Sequence, residues 1–526
     1  MPMLRSILLC GAVLVAGACS TKPDAGPAPE PPASSIVVAA GAPSGSQIGS
    51  PTTALSPSAP PSPVAAVAVD CPDGFEGEDE CYTVEMPADR ADPAAGSVVL
   101  PVAIARATGP NPQHRALVVP AGGPGFAGLG DIGYFGHGLP FRETHDIVTY
   151  DQRGTGRATP LLECPERDEV AVATLQAAGE PGDERAAVAA AMLACRDRLG
   201  AAGIDLDDYD SEASAADLDD LRRALGYDRW TILGISYGGR LALATMRSFP
   251  DGIESVILDS VYDVTYGGLA QDIAAANRGI DHLAMACAAD PSCASRYPDL
   301  AATIERLRDR YNQAPWEGDV VIDEGSAPQR FVITGDDIMT GLFQALYDTM
   351  LVPVLPSVIV AVDSGDTSII PLLVAESVPR IRGQADAMTL TFDCADNAGL
   401  AEAVTADEAL LREPSNRMST AITMSYAPTC TEWSVPPTSE RFNDPVVSPI
   451  PALVLAGSFD PSTPPAGTEA VAARLERATF ALFPANGHGV TGFGECQTGM
   501  MQEFLADPTA PVDTSCVAGL IGPAWT

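Results

Sequence analysis

Short apolar runs, each bounded by Gly, Pro or a polar residue, recur along this chain with helical stretches between them. That rhythm limits the possible folds more than any other feature. Residues 98–105, 116–120, 146–150, 230–235, 255–258, 452–456 and 479–483 read as strands. Several are apolar at consecutive positions, the pattern of strands covered on both faces. Residues 215–225, closed by Gly226, form one of the intervening helical patterns. Such alternation implies an α/β chain, with a mostly parallel sheet and helices on both faces. Between Val261 and about Pro449 the rhythm stops and long helical patterns take over, as at 300–311 and 336–349. The expected layout is a sheet domain in two pieces, 70–262 and 449–526, interrupted by a largely helical cap at 263–448.

The first residues do not belong to that sheet. Arg5 precedes an apolar run ending in small residues at Ala18, the layout of a secretory leader covering 1–18 and too short to span a membrane. Val15-Ala-Gly-Ala-Cys19 resembles a bacterial lipobox, which implies cleavage before Cys19 and lipidation of its thiol; plain cleavage near Ala18 is the alternative. Residues 19–69 are rich in Pro, Ala, Ser and Gly and read as a disordered stalk. A flexible linker of about 50 residues reaches roughly 40 Å. The expected location is therefore outside the cytoplasm. The chain is either anchored by lipid to a bacterial membrane, facing the periplasm or exterior, or secreted, with no membrane contact beyond that anchor.

Cysteine and charge support that placement. Past Cys10 and Cys19, ten of the 12 cysteines remain, an even number that reads as disulfides in an exported chain. Pairing neighbours is the simplest connectivity, giving 71–81, 164–195, 287–293, 394–430 and 496–516, although sequence leaves the pairing open. No cysteine pair has the two-residue gap of a zinc knuckle, so no metal is expected. The 69 acidic against 30 basic residues, a net charge of −39, argue against nucleic acid and against a surface resting on anionic lipid.

One serine sits in a frame that suits nucleophilic chemistry. Gly234-Ile-Ser236-Tyr-Gly238 follows an apolar strand and opens a helical pattern, the context of a nucleophile elbow. A hydroxyl needs a base oriented by a carboxylate, which in this arrangement follow the serine in the order acid, then histidine. Of five histidines, only His282 and His488 follow Ser236. His282 falls in the cap, whereas His488 follows the last strand. Asp460 lies in the loop after the penultimate strand; Asp444 precedes that strand and suits the role less. The Gly-rich stretch Pro120-Ala-Gly-Gly-Pro-Gly125 follows a strand and can offer a backbone N–H to an oxyanion. Gly123 is favoured, because Pro124 has no N–H, and the N–H of Tyr237 is its partner.

Together, Gly122-Gly-Pro-Gly, Asp151-Gln-Arg-Gly-Thr-Gly156, the serine motif, Gly457-Ser-Phe-Asp460-Pro and Asn486-Gly-His488-Gly resemble the α/β-hydrolase serine aminopeptidases. The likeness is greatest to the secreted tripeptidyl aminopeptidase and proline iminopeptidase relatives. It implies an α/β-hydrolase fold and release of residues or short peptides from peptides with free N-termini, by Ser236, His488 and Asp460, with no cofactor. Ala121 stands where proline iminopeptidases usually carry His, which weakens the transfer of strict proline specificity. An esterase or lipase with the same triad, and a silent binding protein on the same fold, are the rival readings. A substrate ammonium needs a buried carboxylate to offset its desolvation, and Asp396, beside Cys394, is the candidate anchor.

Overall fold

Among the described residues, nine strands join one sheet in the order β1-β2-β3-β5-β4-β6-β7-β10-β11. They are β1 (Ala66–Val69), β2 (Glu80–Pro87), β3 (Ser97–Ala105), β4 (Ala116–Val119), β5 (Asp146–Tyr150), β6 (Trp230–Ile235), β7 (Ile253–Asp259), β10 (Ala452–Gly457) and β11 (Ala478–Phe483). The first four in spatial order pair antiparallel, and from β5 onward all pairings are parallel. The computed structural model describes residues 64–398 and 427–526, apart from positions 78, 112, 178, 180, 268 and 324. The expected leader, Cys19 and most of the expected stalk lie outside the described residues.

Burial explains why some strands stand out in the sequence and others do not. Every residue of β4, β5 and β10 is buried, because helices cover both faces of the sheet there. By contrast β2 buries Cys81, Val84 and Met86 and leaves Glu85 in water. Its apolar signal is diluted, and it was not among the expected strands. β1 uses four residues assigned to the stalk, so the sheet begins before residue 70.

Between β7 and β10 no described residue joins this sheet. Helices dominate the interval, with one antiparallel hairpin, β8 (Trp316–Val320) and β9 (Gln329–Ile333), that the sequence reading missed. These helices share a second apolar core, in which Ile280, Leu283, Leu307, Phe331, Met339, Leu342 and Val378 are buried and to which Val172, Leu175 and Phe459 contribute from outside the interval. The helix Asp386–Asp396 does not share it. Its Met388, Leu390 and Phe392 pack with Tyr237, Leu241, Trp433 and Phe442 in the core of the sheet. Among the described residues, five disulfides join Cys71–Cys81, Cys164–Cys195, Cys287–Cys293, Cys394–Cys430 and Cys496–Cys516, each of these cysteines bonded to the next in sequence.

Candidate active site

Strand β6 ends at Ile235, and the helix Tyr237–Ser248 begins one residue later. Ser236, between them, has φ 58° and ψ −123°, a conformation that costs a non-glycine residue about 1–3 kcal/mol. The surrounding glycines make the turn possible. A Cβ on Gly234 would lie 2.5 Å from the Gly238 carbonyl oxygen, and one on Gly238 would lie 2.6 Å from that of Pro120. The serine backbone is pinned by the neighbouring strand: its N–H donates to Asp259 O at 3.1 Å, and Tyr262 N–H donates to its carbonyl at 3.1 Å.

Asp460 and His488 come together across two loops at the carboxyl edge of the sheet. Asp460 is fully buried, and its Oδ2 lies 2.9 Å from His488 Nδ1. The carboxylate is held by Ser462 N–H at 2.9 Å, Thr463 N–H at 2.8 Å and Thr463 Oγ1 at 2.7 Å. Burial opposes charge on His488, but Asp460, helped by Asp259 behind it, outweighs burial and raises the imidazole pKa above the ordinary value.

Asp259 was not singled out from sequence, yet it ties the histidine loop to the serine. Its buried carboxylate accepts from Val490 N–H, from Thr491 N–H at 2.8 Å and from Thr491 Oγ1 at 2.7 Å. Its neighbour Ser260 offers Oγ to Gly489 N–H at 2.9 Å. One strand end thus holds the backbone of Ser236 and the residues that follow His488. The signal in the sequence is a polar residue closing an apolar strand run.

The glycine-rich loop after β4 lies against the elbow. A Cβ on Gly122 would be 3.5 Å from that of Ser236, and Gly123 has φ 115°. The Asp151–Gly156 block explains how this loop is held. Asp151 accepts from Gly128 N–H and Leu129 N–H at 2.8 Å each and from Arg157 N–H at 2.6 Å. Gln152 Nε2 donates to Ala121 O at 2.9 Å. Arg153, fully buried, grips Asp217 through Nε and Nη2 at 2.7 Å each.

Other sequence candidates lie elsewhere. Asp396 is 2% exposed, behind the elbow helix, where Ser211 and the Arg240 guanidinium take its carboxylate and burial pushes its pKa up to about 7. Ser211 also meets the buried Tyr237 hydroxyl at 2.9 Å. The expected amine anchor thus has its carboxylate turned toward protein groups. His282 packs on Phe459, ring centroids 4.7 Å apart. Asp444 pairs with Arg441 at the surface. Among the described residues, no group of three or more His, Cys, Asp or Glu is placed to hold a metal.

Comparison with known proteins agrees with this architecture. Residues 115–278 match the model of the alpha/beta hydrolase fold, and residues 416–516 that of the TAP-like protein. Serine protease Hip1 of Mycobacterium tuberculosis is 26% identical over 466 residues, spanning 82% of this chain and 86% of that protein. Tripeptidyl aminopeptidase of Streptomyces lividans is 30% identical over 227 residues, 38% of this chain and 40% of that one. Proline iminopeptidase of Xylella fastidiosa is 26% identical over 157 residues, 29% and 34% of the two chains. The chain has the α/β-hydrolase fold, and its sequence is similar to these peptidases.

Proposed function

We propose that this chain is an exported serine peptidase that releases amino acids or short peptides, tripeptides among them, from free N-termini. The observation that carries the reading is the 2.9 Å contact between Asp460 and His488, on a loop hung from the same strand end that pins Ser236. In this reading Ser236 Oγ attacks the scissile carbonyl carbon while His488 Nε2 takes its proton. Asp460 keeps Nδ1 protonated and stabilises the imidazolium. The N–H groups of Tyr237 and Gly123 receive the oxyanion. His488 then protonates the leaving amine as the C–N bond breaks, and a water, activated by the same nitrogen, hydrolyses the acyl-enzyme. The scheme requires no metal or cofactor.

The peptide class rests on the relatives, and export rests on the leader pattern together with the five disulfides. Aminoacyl, tripeptidyl and acyl-ester reporters, offered to wild type and Ser236→Ala, test the reading. Wild type should turn over the N-terminally free peptides, and the variant should be silent but folded. Turnover of esters alone would make the protein an esterase. Turnover by Ser236→Ala would remove the nucleophile.

A further inference from the structure

The two halves of the proposed triad are supported by different layers. The backbone of Ser236 bonds to the end of β7 and the residues just after it, and Gly122 abuts its side chain. The loop carrying His488 is also gripped from the other side, by the cap. His488 N–H donates to Tyr347 O at 3.2 Å, at the end of the helix Gly335–Tyr347. Thr349 Oγ1 accepts from Gly487 N–H at 3.1 Å and from Asn486 Nδ2 at 3.4 Å. The Tyr347 ring meets the His488 ring edge-on, with centroids 4.7 Å apart and planes at 61°. The fit leaves no slack, since a Cβ on Gly487 would lie 2.2 Å from Leu346 O. On the acid side, Arg278 of the helix Leu269–Ala289 donates to Asp460 O.

We infer that Tyr347 and Thr349 are positioning residues for the base. The cap acts here as the upper jaw of a clamp whose lower jaw is Asp259, and His488 reaches Asp460 and Ser236 only while both jaws close on residues 486–491. The inference rests on the triad reading above and adds a working part to it. Gly487 is buried, so its N–H has no ready replacement for the Thr349 hydroxyl. Reacting groups lose about a hundredfold in rate for a displacement of about 1 Å, so a small shift of this loop is enough to matter. The loss should fall on the chemical step, because neither Thr349 nor the ring of Tyr347 need touch substrate to exert it.

The test compares Thr349→Val, which keeps shape and removes the hydroxyl, with Thr349→Ser, which keeps the hydroxyl. Each is assayed as the whole protein for kcat, KM and thermal midpoint with a small acyl ester and a tripeptidyl reporter. Thr349→Val should lose about tenfold or more in kcat on both reporters, with KM within about twofold, and Thr349→Ser should recover to within about threefold of wild type. Equal loss in Val and Ser, wild-type kcat in Val, or a loss carried by KM alone would overturn the clamp. Should Thr349→Val not fold, Tyr347→Leu, which keeps the backbone acceptor, takes its place. It must lower kcat and move the acid limb of kcat/KM away from wild type, and an unmoved limb with unchanged kcat overturns the inference. If instead Ser236→Ala keeps wild-type turnover, the triad reading itself fails, a result distinct from any in the Thr349 series.

Discussion

Arg153 offers the most demanding test of how the glycine-rich loop and its supports are held. Its guanidinium is fully buried, forks onto Asp217 at 2.7 Å twice, and also donates to Ala88 O at 3.2 Å and to Asp208 O. Burial alone would lower its pKa, and the net rise shows that Asp217 outweighs burial. Replacing Arg153 with Met fills most of the space but leaves a carboxylate and the carbonyls of Pro87, Ala88 and Asp208 behind. Breaking a buried ion pair from one side costs about 3–5 kcal/mol. Arg90, 28% exposed, still reaches Asp217 and recovers part of that. Each carbonyl left unsatisfied adds about 1 kcal/mol. The carbonyls add about 2–3 kcal/mol and the Arg90 contact returns a similar amount, so the expected destabilisation stays at about 3–5 kcal/mol. A chain of this size unfolds in urea with a slope of at least about 3 kcal/mol per M, so the midpoint should fall by about 1 M. Reactivity of the folded variant toward a fluorophosphonate should stay within about threefold of wild type, because Asp151 and Gln152, not Arg153, bond to the loop. A midpoint within about 0.3 M of wild type, or lost reactivity at full stability, would refute this reasoning.

Three further outcomes follow from the same structure. His282→Ala should keep more than about a tenth of the activity, whereas His488→Ala should cost several orders of magnitude; equal losses would mean that the wrong base has been assigned. Asp131, Asp393 and Asp396 are pushed by burial to about 7, above their unfolded value, so the stability they contribute is full below about pH 4 and lost as pH rises through about 7. His145, held down at about 4 mainly by burial, works oppositely, since its share is lost as pH falls from about 6.5 through 4. The raised carboxyls, which also include Asp386 at about 7 and Asp208 at about 6, outnumber this histidine and predict a higher urea midpoint at pH 5 than at pH 8, while kcat/KM falls on the acid side because His488 is raised above the ordinary histidine value. A midpoint that rises toward pH 8 would contradict the assignment. Cys19→Ser should move the protein from the membrane to the soluble fraction, and an unchanged membrane fraction would refute lipidation.

The parts visible in sequence are those whose physics is local. The elbow requires glycines at fixed spacing around one serine, so Gly234 and Gly238 advertise it. Strands buried on both faces must be apolar throughout, so β4, β6 and β10 stand out while half-covered β2 does not. His488, the proposed base, is singled out by chain order and the scarcity of histidine, and it lies beside Asp460. What remained hidden depends on partners remote in the chain. Asp396 had the chemistry of an anchor, but its occupation by Ser211 and Arg240 is set by the packing of the helix Asp386–Asp396 under the elbow. The grip of Thr349 on Gly487 spans 138 residues, and no pattern near either residue announces it.

Three aspartates at the carboxyl edge of the sheet show why residue type alone did not separate the proposed catalytic role from supporting ones. Asp151 follows β5, Asp259 ends β7 and Asp460 follows β10, and all three are buried. Each gathers backbone N–H groups of its own or a neighbouring loop: Gly128, Leu129 and Arg157 for the first, Val490 and Thr491 for the second, Ser462 and Thr463 for the third. Loops at that edge carry N–H groups that no strand satisfies, and a buried carboxylate can accept several at once. The same device therefore recurs wherever the edge must be rigid. Asp460 differs in one respect, because its Oδ2 keeps capacity beyond its own loop and faces an imidazole at 2.9 Å. Asp259 spends both oxygens on the loop that carries that imidazole. One carboxylate orients the proposed base directly and the other orients the chain that bears it, so the loss of either should displace His488, through its ring in one case and through its backbone in the other.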